Sequence, residues 1–113
     1  MGKMSREKGK RGEREWASLC REQGYDCNRT AQNRGKTGDA GDVEGLPHIH
    51  IEVKRTESFR LYDALAQAKR DAEANGEGNL PIVAHRKNNC PWVVIMDAKD
   101  FFEIYREWEA GKC

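Results

Sequence analysis

At 113 residues the chain has room for one domain, and a domain of that size can fold without disulfide or metal staples. Hydrophobic residues make up 37% and charged residues 35% of it, which argues against disorder throughout and fits a water-soluble globule with a modest core. The net charge of +1 conceals an asymmetry: residues 1–38 hold ten Lys/Arg against five Asp/Glu, and residues 39–113 hold ten against fourteen.

The chain opens on a cationic run, Lys3, Arg6, Lys8, Lys10, Arg11 and Arg14. Such a run is either a solvated arm or a phosphate-facing one, since cations near phosphates gain affinity by releasing counterions. Residues 1–8 are expected to form a flexible basic arm. Ser5 can cap a helix reaching about Gln23, with Trp16, Leu19 and Cys20 on one face and Gly24 as C-cap. Gly9 and Gly12 weaken its first turns, so regular helix is expected from about Lys10. Glu13 stands at the head of the stripe of Trp16, Ala17 and Cys20, an odd place for a structural carboxylate.

Tyr25 to Arg29 alternates like a short strand. Thr30 to Gly41 contains three glycines, Arg34 and Lys36, and no large apolar side chain, which reads as a mobile loop. Asp42–Glu44 and His48–Arg55 read as two strands joined by a Gly45-Leu46-Pro47 turn. In the second strand Ile49, Ile51 and Val53 face one way, and His48, His50, Glu52 and Lys54 the other. Leu61, Leu65, Ala68 and Ala72 imply a helix ending at the Asn75–Asn79 cluster. Leu80–His85 and Trp92–Met96 are strand-like, separated by the polar turn from Arg86 to Pro91. Asp97 then caps a last helix with Phe101, Ile104, Tyr105 and Trp108 on one face. The expected order is α-β-β-β-α-β-β-α, an α/β fold with helices flanking a mixed central sheet.

Cys20, Cys27, Cys90 and Cys113 contain no C-x-x-C pair and read as free thiols rather than a zinc knuckle. With no apolar run of membrane-span length and no secretion-type h-region, the expected location is the cytoplasm.

Hydrolysing a phosphodiester requires a group that neutralises phosphate and one that activates water, and a divalent metal supplies both. Magnesium takes oxygen ligands, commonly one or two carboxylates. Antiparallel pairing of the two hairpin strands would bring Asp42 and Glu52 to one edge of the sheet. Lys54, two residues further on, shares the face of Glu52 and can orient water or offset developing charge. By spacing alone the same trio could be a solvated hairpin face with a cross-strand ion pair. Asp97-Ala98-Lys99 is a second acid-x-Lys, but it lies at a strand end and helix start rather than inside an alternating strand.

Lys8-Gly9 followed by Glu13-Arg14, Arg29, Gly41-Asp42-Val43 and Ile51-Glu52-Val53-Lys54 resembles the motif order of the PD-(D/E)xK nuclease superfamily, in particular the archaeal-type Holliday-junction resolvases and their phage-borne relatives. Leu61 to Ala68 and Pro81 to Trp92 are similar to the phage-type members. The resemblance implies a restriction-endonuclease-like fold and a Mg2+ site, with Mn2+ able to substitute. It places the metal on Asp42, Glu52 and the backbone carbonyl of Val53, with a further acidic contribution from Glu13. Lys54 becomes the catalytic lysine and Gln67 a cleft residue. It also implies a homodimer acting on branched or four-way DNA in recombination. Gly41 replaces the proline usual before the motif aspartate. Thr30-Ala31-Gln32-Asn33 stands where the archaeal resolvases carry a serine in a glycine-containing loop, a departure that bears on junction specificity more than on cleavage. The phosphate-contact candidates are Lys8, Lys10, Arg11, Arg29, Arg34 and Lys36, with Arg86 and Lys87 behind them.

Other signals compete. His48-x-His50 could bind a transition metal, but two histidines are not a full site. Gly35-Lys36-Thr37 lacks the glycine that a P-loop needs five positions earlier. The C-terminal aromatics could stack on bases, although their helical spacing suits core or dimer contact better. Two functions follow: a metal-dependent, structure-selective DNA endonuclease, or a DNA-binding module on the same fold that does not cut.

Overall fold

The computed structural model describes residues 2–31 and 41–112, with side chains from residue 8 onward. The expected order of eight elements is the one observed: α1 (Gly2–Glu22), β1 (Asn28–Arg29), β2 (Val43–Glu44), β3 (Ile49–Arg55), α2 (Leu61–Asn75), β4 (Leu80–Arg86), β5 (Val93–Ile95) and α3 (Ala98–Ala110). The α1 backbone is helical from Gly2, through the residues expected as a basic arm and well before Lys10. Strand β1 is shorter than Tyr25–Arg29 suggested. No helix is long and apolar enough to cross a membrane among the described residues.

The five strands lie side by side in chain order. The β1–β2, β2–β3 and β4–β5 pairs are antiparallel. The β3–β4 pair is parallel, with Ile51 beside Ile82 and Glu52 beside Val83. A parallel neighbour needs a crossover, and α2 provides it.

Helix α1 packs Trp16, Ala17 and Cys20 against Val43, Ile51, Val53, Ile82 and Ala84. On the opposite face α2 packs Ala64 and Ala68 against Val83, with Phe59, Leu65 and Ile95 around them. Fully burying Ile51 or Val83 is worth roughly 1.5–3 kcal/mol each. The α2 stripe of Ala64, Ala68 and Ala72 is small enough for that helix to lie close on the sheet. β3 is therefore covered on both sides, so the face of His50 and Glu52, readable from alternation as a solvated hairpin face, is interior. The helix ends at Gly76, whose left-handed backbone (φ 71°) lets its N–H reach the carbonyls of Ala72 and Glu73, a glycine-favoring terminus.

Two glycines explain close approaches. Gly12, a weak helix former by propensity, is buried against Arg55, whose Cβ a side chain at position 12 would overlap. Arg55 is drawn there by Glu15 at 3.5 Å, and Glu15 also pairs with Arg86 at 2.8 Å. Gly45 has φ 119°, and a Cβ there would run into the backbone of Asp26 and Cys27. Gly45→Ala should therefore lower unfolding stability by about 2–4 kcal/mol, from left-handed strain plus a clash with main chain that cannot swing away. Urea denaturation of the two proteins would read this as a lower midpoint, and an unchanged midpoint would contradict the tight hairpin.

The thiols of Cys20 and Cys27 are free and buried in the α1-side core. Burial, with the neighbouring Cys27, pushes the Cys20 thiol up to about 12.

Candidate active site

Asp42 lies just before β2, where its N–H donates to the Ile51 carbonyl at 2.8 Å. Val43 is paired with Ile51. One step along that antiparallel register sets Asp42 opposite Glu52. Val43, Ile51 and Val53 turn to the α1 core, so alternation sends Asp42, Glu52 and Lys54 to the other face. The two carboxylates thus meet across the strands, an arrangement that like charges disfavour.

The electrostatics follow from this placement. Asp42 has its proton affinity raised to about 7, first by burial, then by the charge of Glu52 and a hydrogen bond with it; the Val53 N–H and Lys54 act the opposite way. That N–H donates to Asp42 Oδ2 at 2.8 Å, which fixes the carboxylate and turns the Val53 peptide toward it. Glu52 is only 4% exposed. On its other side His50, 3% exposed, has Nε2 3.0 Å from Glu52 Oε1. A buried carboxylate pair that hardly tolerates two negative charges, with backbone and imidazole groups holding its orientation, is a donor set suited to a hard divalent cation.

An open cleft of about 430 Å³ collects these groups. Asp42, Glu52, Val53, Lys54 and Thr56 form its floor, Lys8, Gly9 and Glu13 come from α1, and Gln67 comes from α2. Five residues named from the sequence as site members, Glu13, Asp42, Glu52, Lys54 and Gln67, therefore line one cavity, together with Val53. Glu13 differs from the other acids: Arg29 Nε donates to its Oε1 at 2.8 Å. Burial raises its proton affinity and Arg29 opposes that rise. Among the described residues no three His, Cys, Asp or Glu side chains converge as a ready-made metal cluster, so Glu13 stands beyond the Asp42–Glu52 pair.

The cationic candidates separate. Lys8 lines the cleft, while Lys10 is half-buried and Arg11 exposed on the same helix. Arg29 is engaged by Glu13. Arg86 is tied to Glu15 and to the Cys90 carbonyl, and Lys87 is exposed in the turn after β4. Arg34 and Lys36 lie outside the described residues. Sequence reasoning passed over Thr56, although its period-two spacing after Lys54 was the available signal. His48 is exposed in the turn at φ 72° rather than on the strand, so it does not continue the strand face of His50 and Glu52. A separate cleft of about 470 Å³ behind the hairpin, lined by Glu44, His48, His50 and Glu77, contains none of the Asp42, Glu52 and Lys54 set.

Nothing matches among curated protein sequences. Among solved structures the chain is similar to Archaeoglobus fulgidus Hjc, a Holliday junction resolvase from an archaeal hyperthermophile. The TM-score is 0.59 and the identity 23%, over 79% of this chain and 72% of that one. This likeness establishes a shared restriction-endonuclease-like fold: a mixed five-stranded sheet flanked by helices. A family described as "Phage putative PDDEXK endonuclease" matches residues 4–111. With that match spanning nearly its whole length, the chain belongs to this phage PD-(D/E)xK endonuclease family.

Proposed function

We propose that this protein is a magnesium-dependent DNA endonuclease, with Mn2+ able to substitute, selective for branched or four-way junction DNA and acting in the cytoplasm as a homodimer of single-domain chains. The observation that carries the reading is the buried Asp42–Glu52 pair beside Lys54 in the floor of one cleft. A binding module gains nothing from buried carboxylates aimed at a polyanion, because they repel phosphate and cost folding energy. Asp42, Glu52 and the Val53 carbonyl would hold the metal, with Glu13 contributing from α1. Such a metal would offset phosphate charge and lower the pKa of the attacking water, so that a hydroxide nucleophile is available near neutral pH.

The chain's own groups do the rest. Lys54 donates hydrogen bonds to the attacking water or to the phosphate oxygen that gains charge. Gln67 positions the phosphate from α2. Water adds to phosphorus as the bond to the 3′-oxygen breaks, leaving a 5′-phosphate and a 3′-hydroxyl. Lys8, Lys10 and Arg11 contact flanking phosphates, with Arg29, Arg34, Lys36, Arg86 and Lys87 as further contacts.

The test is incubation of a labelled four-way junction and a linear duplex with Mg2+ or Mn2+. Junction cleavage that requires the metal is expected. Binding of both substrates with no cleavage in either metal would favour the non-cutting module instead. His50 sharpens the metal reading, because it orients Glu52 without touching substrate. His50→Ala should raise the half-saturating Mg2+ concentration for cleavage by about 10–100-fold, the usual effect of losing a ligand's supporting hydrogen bond. His50→Gln, which keeps a donor, should reverse part of that rise. Titrating Mg2+ at saturating junction reads this, and an unchanged half-saturating concentration would remove His50 from the metal's support.

A further inference from the structure

A second cavity, of about 310 Å³, opens beside the cleft and shares Lys54, Thr56 and Gln67 with it. The rest of its wall comes from the segment joining β3 to α2 and the first turn of that helix, where Phe59, Arg60 and Asp63 line it. Asp42 and Glu52 belong to the cleft and not to this cavity. The two spaces therefore differ in kind: one is acidic and suited to a cation, while the other has an aromatic wall and two cations, Lys54 and Arg60, against the single carboxylate of Asp63.

The aromatic wall is built before any ligand arrives. Phe59 packs against the α2-side core of Ala64, Ala68 and Val83, and the ring of His85 lies nearly parallel to it, 3.9 Å between centroids and 8° between planes. His85 is fixed in turn by its Nε2–H, which donates to the Thr56 carbonyl at 3.0 Å. Thr56 Oγ1 donates to the Ser58 carbonyl at 3.0 Å, and the Thr56 N–H to the Arg86 carbonyl at 3.2 Å. A ring held in this way loses little freedom when a ligand packs on it. Arg60 is the opposite. Its side chain is 89% exposed and meets Asp63 only at 3.9 Å, an exposed pair that holds it weakly. Glu57, also on this segment, does not line the cavity and is engaged by Arg55 and by the Asn88 N–H.

A rigid aromatic wall beside Lys54, with a loosely held cation at its rim, is a combination that binds a nucleotide: bases of any sequence pack on aromatic side chains, and cations take the phosphate. We propose, on the strength of the nuclease reading above, that this cavity receives an unpaired nucleotide next to the phosphate to be cut, with its base against Phe59 and its own phosphate on Arg60. A paired base is covered on both faces by its neighbours, and drawing it out of the stack is costly; the cost is least for a nucleotide without a partner. A branch point supplies such a nucleotide and a linear duplex does not, so Phe59 selects for branch points. The stacking role that spacing offered to the α3 aromatics falls here instead. Phe101, Tyr105 and Trp108 are exposed, but none of them lines the cleft or this cavity.

The experiment uses a forked duplex with an intact nucleotide, or an abasic one that keeps the sugar and phosphate, at the first unpaired position of each strand in turn. Binding is read in Ca2+ and single-turnover cleavage in Mg2+. Wild type should bind one intact fork at least about 5-fold more tightly than its abasic counterpart. Phe59→Leu, which keeps apolar packing but no ring, should bind the two alike, and Phe59→Tyr should recover the discrimination. A residue that acted through packing alone would weaken both forks equally and leave their ratio intact. Arg60→Ala, on an exposed side chain, should make the dependence of log affinity on log salt shallower by about 0.7–0.9, the share of one phosphate contact. A wild type indifferent to the missing base in both strands would overturn the proposal. So would a Phe59→Leu protein that discriminates as wild type does, or an Arg60→Ala protein with an unchanged salt slope. Discrimination that depends on Phe59 in a protein that cuts no DNA would sink the nuclease reading and leave a nucleotide-binding cavity. Metal-dependent cleavage with no discrimination would do the reverse.

Discussion

Asp42→Asn is expected to reduce cleavage of any DNA substrate by about 10³-fold or more, equivalent to about 4 kcal/mol of lost transition-state stabilisation, while making the metal-free protein more stable at pH 8. Both effects have one cause. Burial and the adjacent Glu52 charge raise the proton affinity of Asp42 from 3.8 to about 7, so the folded state holds a proton more tightly than the unfolded chain does. The stability tied to that proton is fully present below pH 3.8 and is lost as pH rises through about 7. Above that, the native state carries an unfavourable buried charge. Asparagine keeps an acceptor for the Val53 N–H, which donates at 2.8 Å, and can donate to Glu52 with no charge of its own. The gain at pH 8 should be on the order of 2 kcal/mol, after allowing for solvent relaxation around the pair. Urea melts at pH 5 and pH 8, with and without Mg2+, check it. Wild type should lose stability between the two pH values and recover it with Mg2+, and the Asn variant should do neither. A wild type equally stable at both pH values without metal would show that the carboxylates are not crowded as described.

Lys54→Ala is the second large effect, and its signature differs. Asp42→Asn should abolish the Mg2+ response of stability. Lys54→Ala should preserve that response while lowering the single-turnover cleavage rate by about 10²–10³-fold, the usual loss when one donor to a charge-gaining oxygen is removed. Junction binding should change little, because one cation among many phosphate contacts contributes a small share. Single-turnover rates at saturating protein, alongside a binding titration, separate the two quantities. A Lys54→Ala protein that binds normally and cuts at the wild-type rate would take the lysine out of the reaction. One that fails to bind would make it a phosphate contact instead.

Much of this architecture follows from local pattern. Alternation in Ile49 to Arg55, the Asp97 cap, the alanine and leucine spacing of 61–72 and the turn residues at 75–79 each depend on chemistry within a few positions, so all eight elements emerged in order. The D-x9-E-x-K set was legible for the same reason: a period of two places Glu52 and Lys54 on one face wherever the strand goes. Boundaries were less legible. Gly9 and Gly12 argue locally for a later helix start than the one observed, because the reason Gly12 is tolerated, the room it leaves Arg55, lies 43 positions away.

What the amino-acid order determined by itself is the identity of the acidic and basic groups, the strand face they share and the membership of the endonuclease family. Only the tertiary structure decided that α2 closes over that face, turning a readable surface pattern into a buried carboxylate pair with a raised proton affinity. Only it decided that Glu13 pairs with Arg29 while the α3 aromatics, helical in spacing and core-like in type, stay uncovered. The physical reason is that burial and charge coupling are set by what packs from elsewhere in the chain, or from another molecule, and neither is written in the spacing of a single segment.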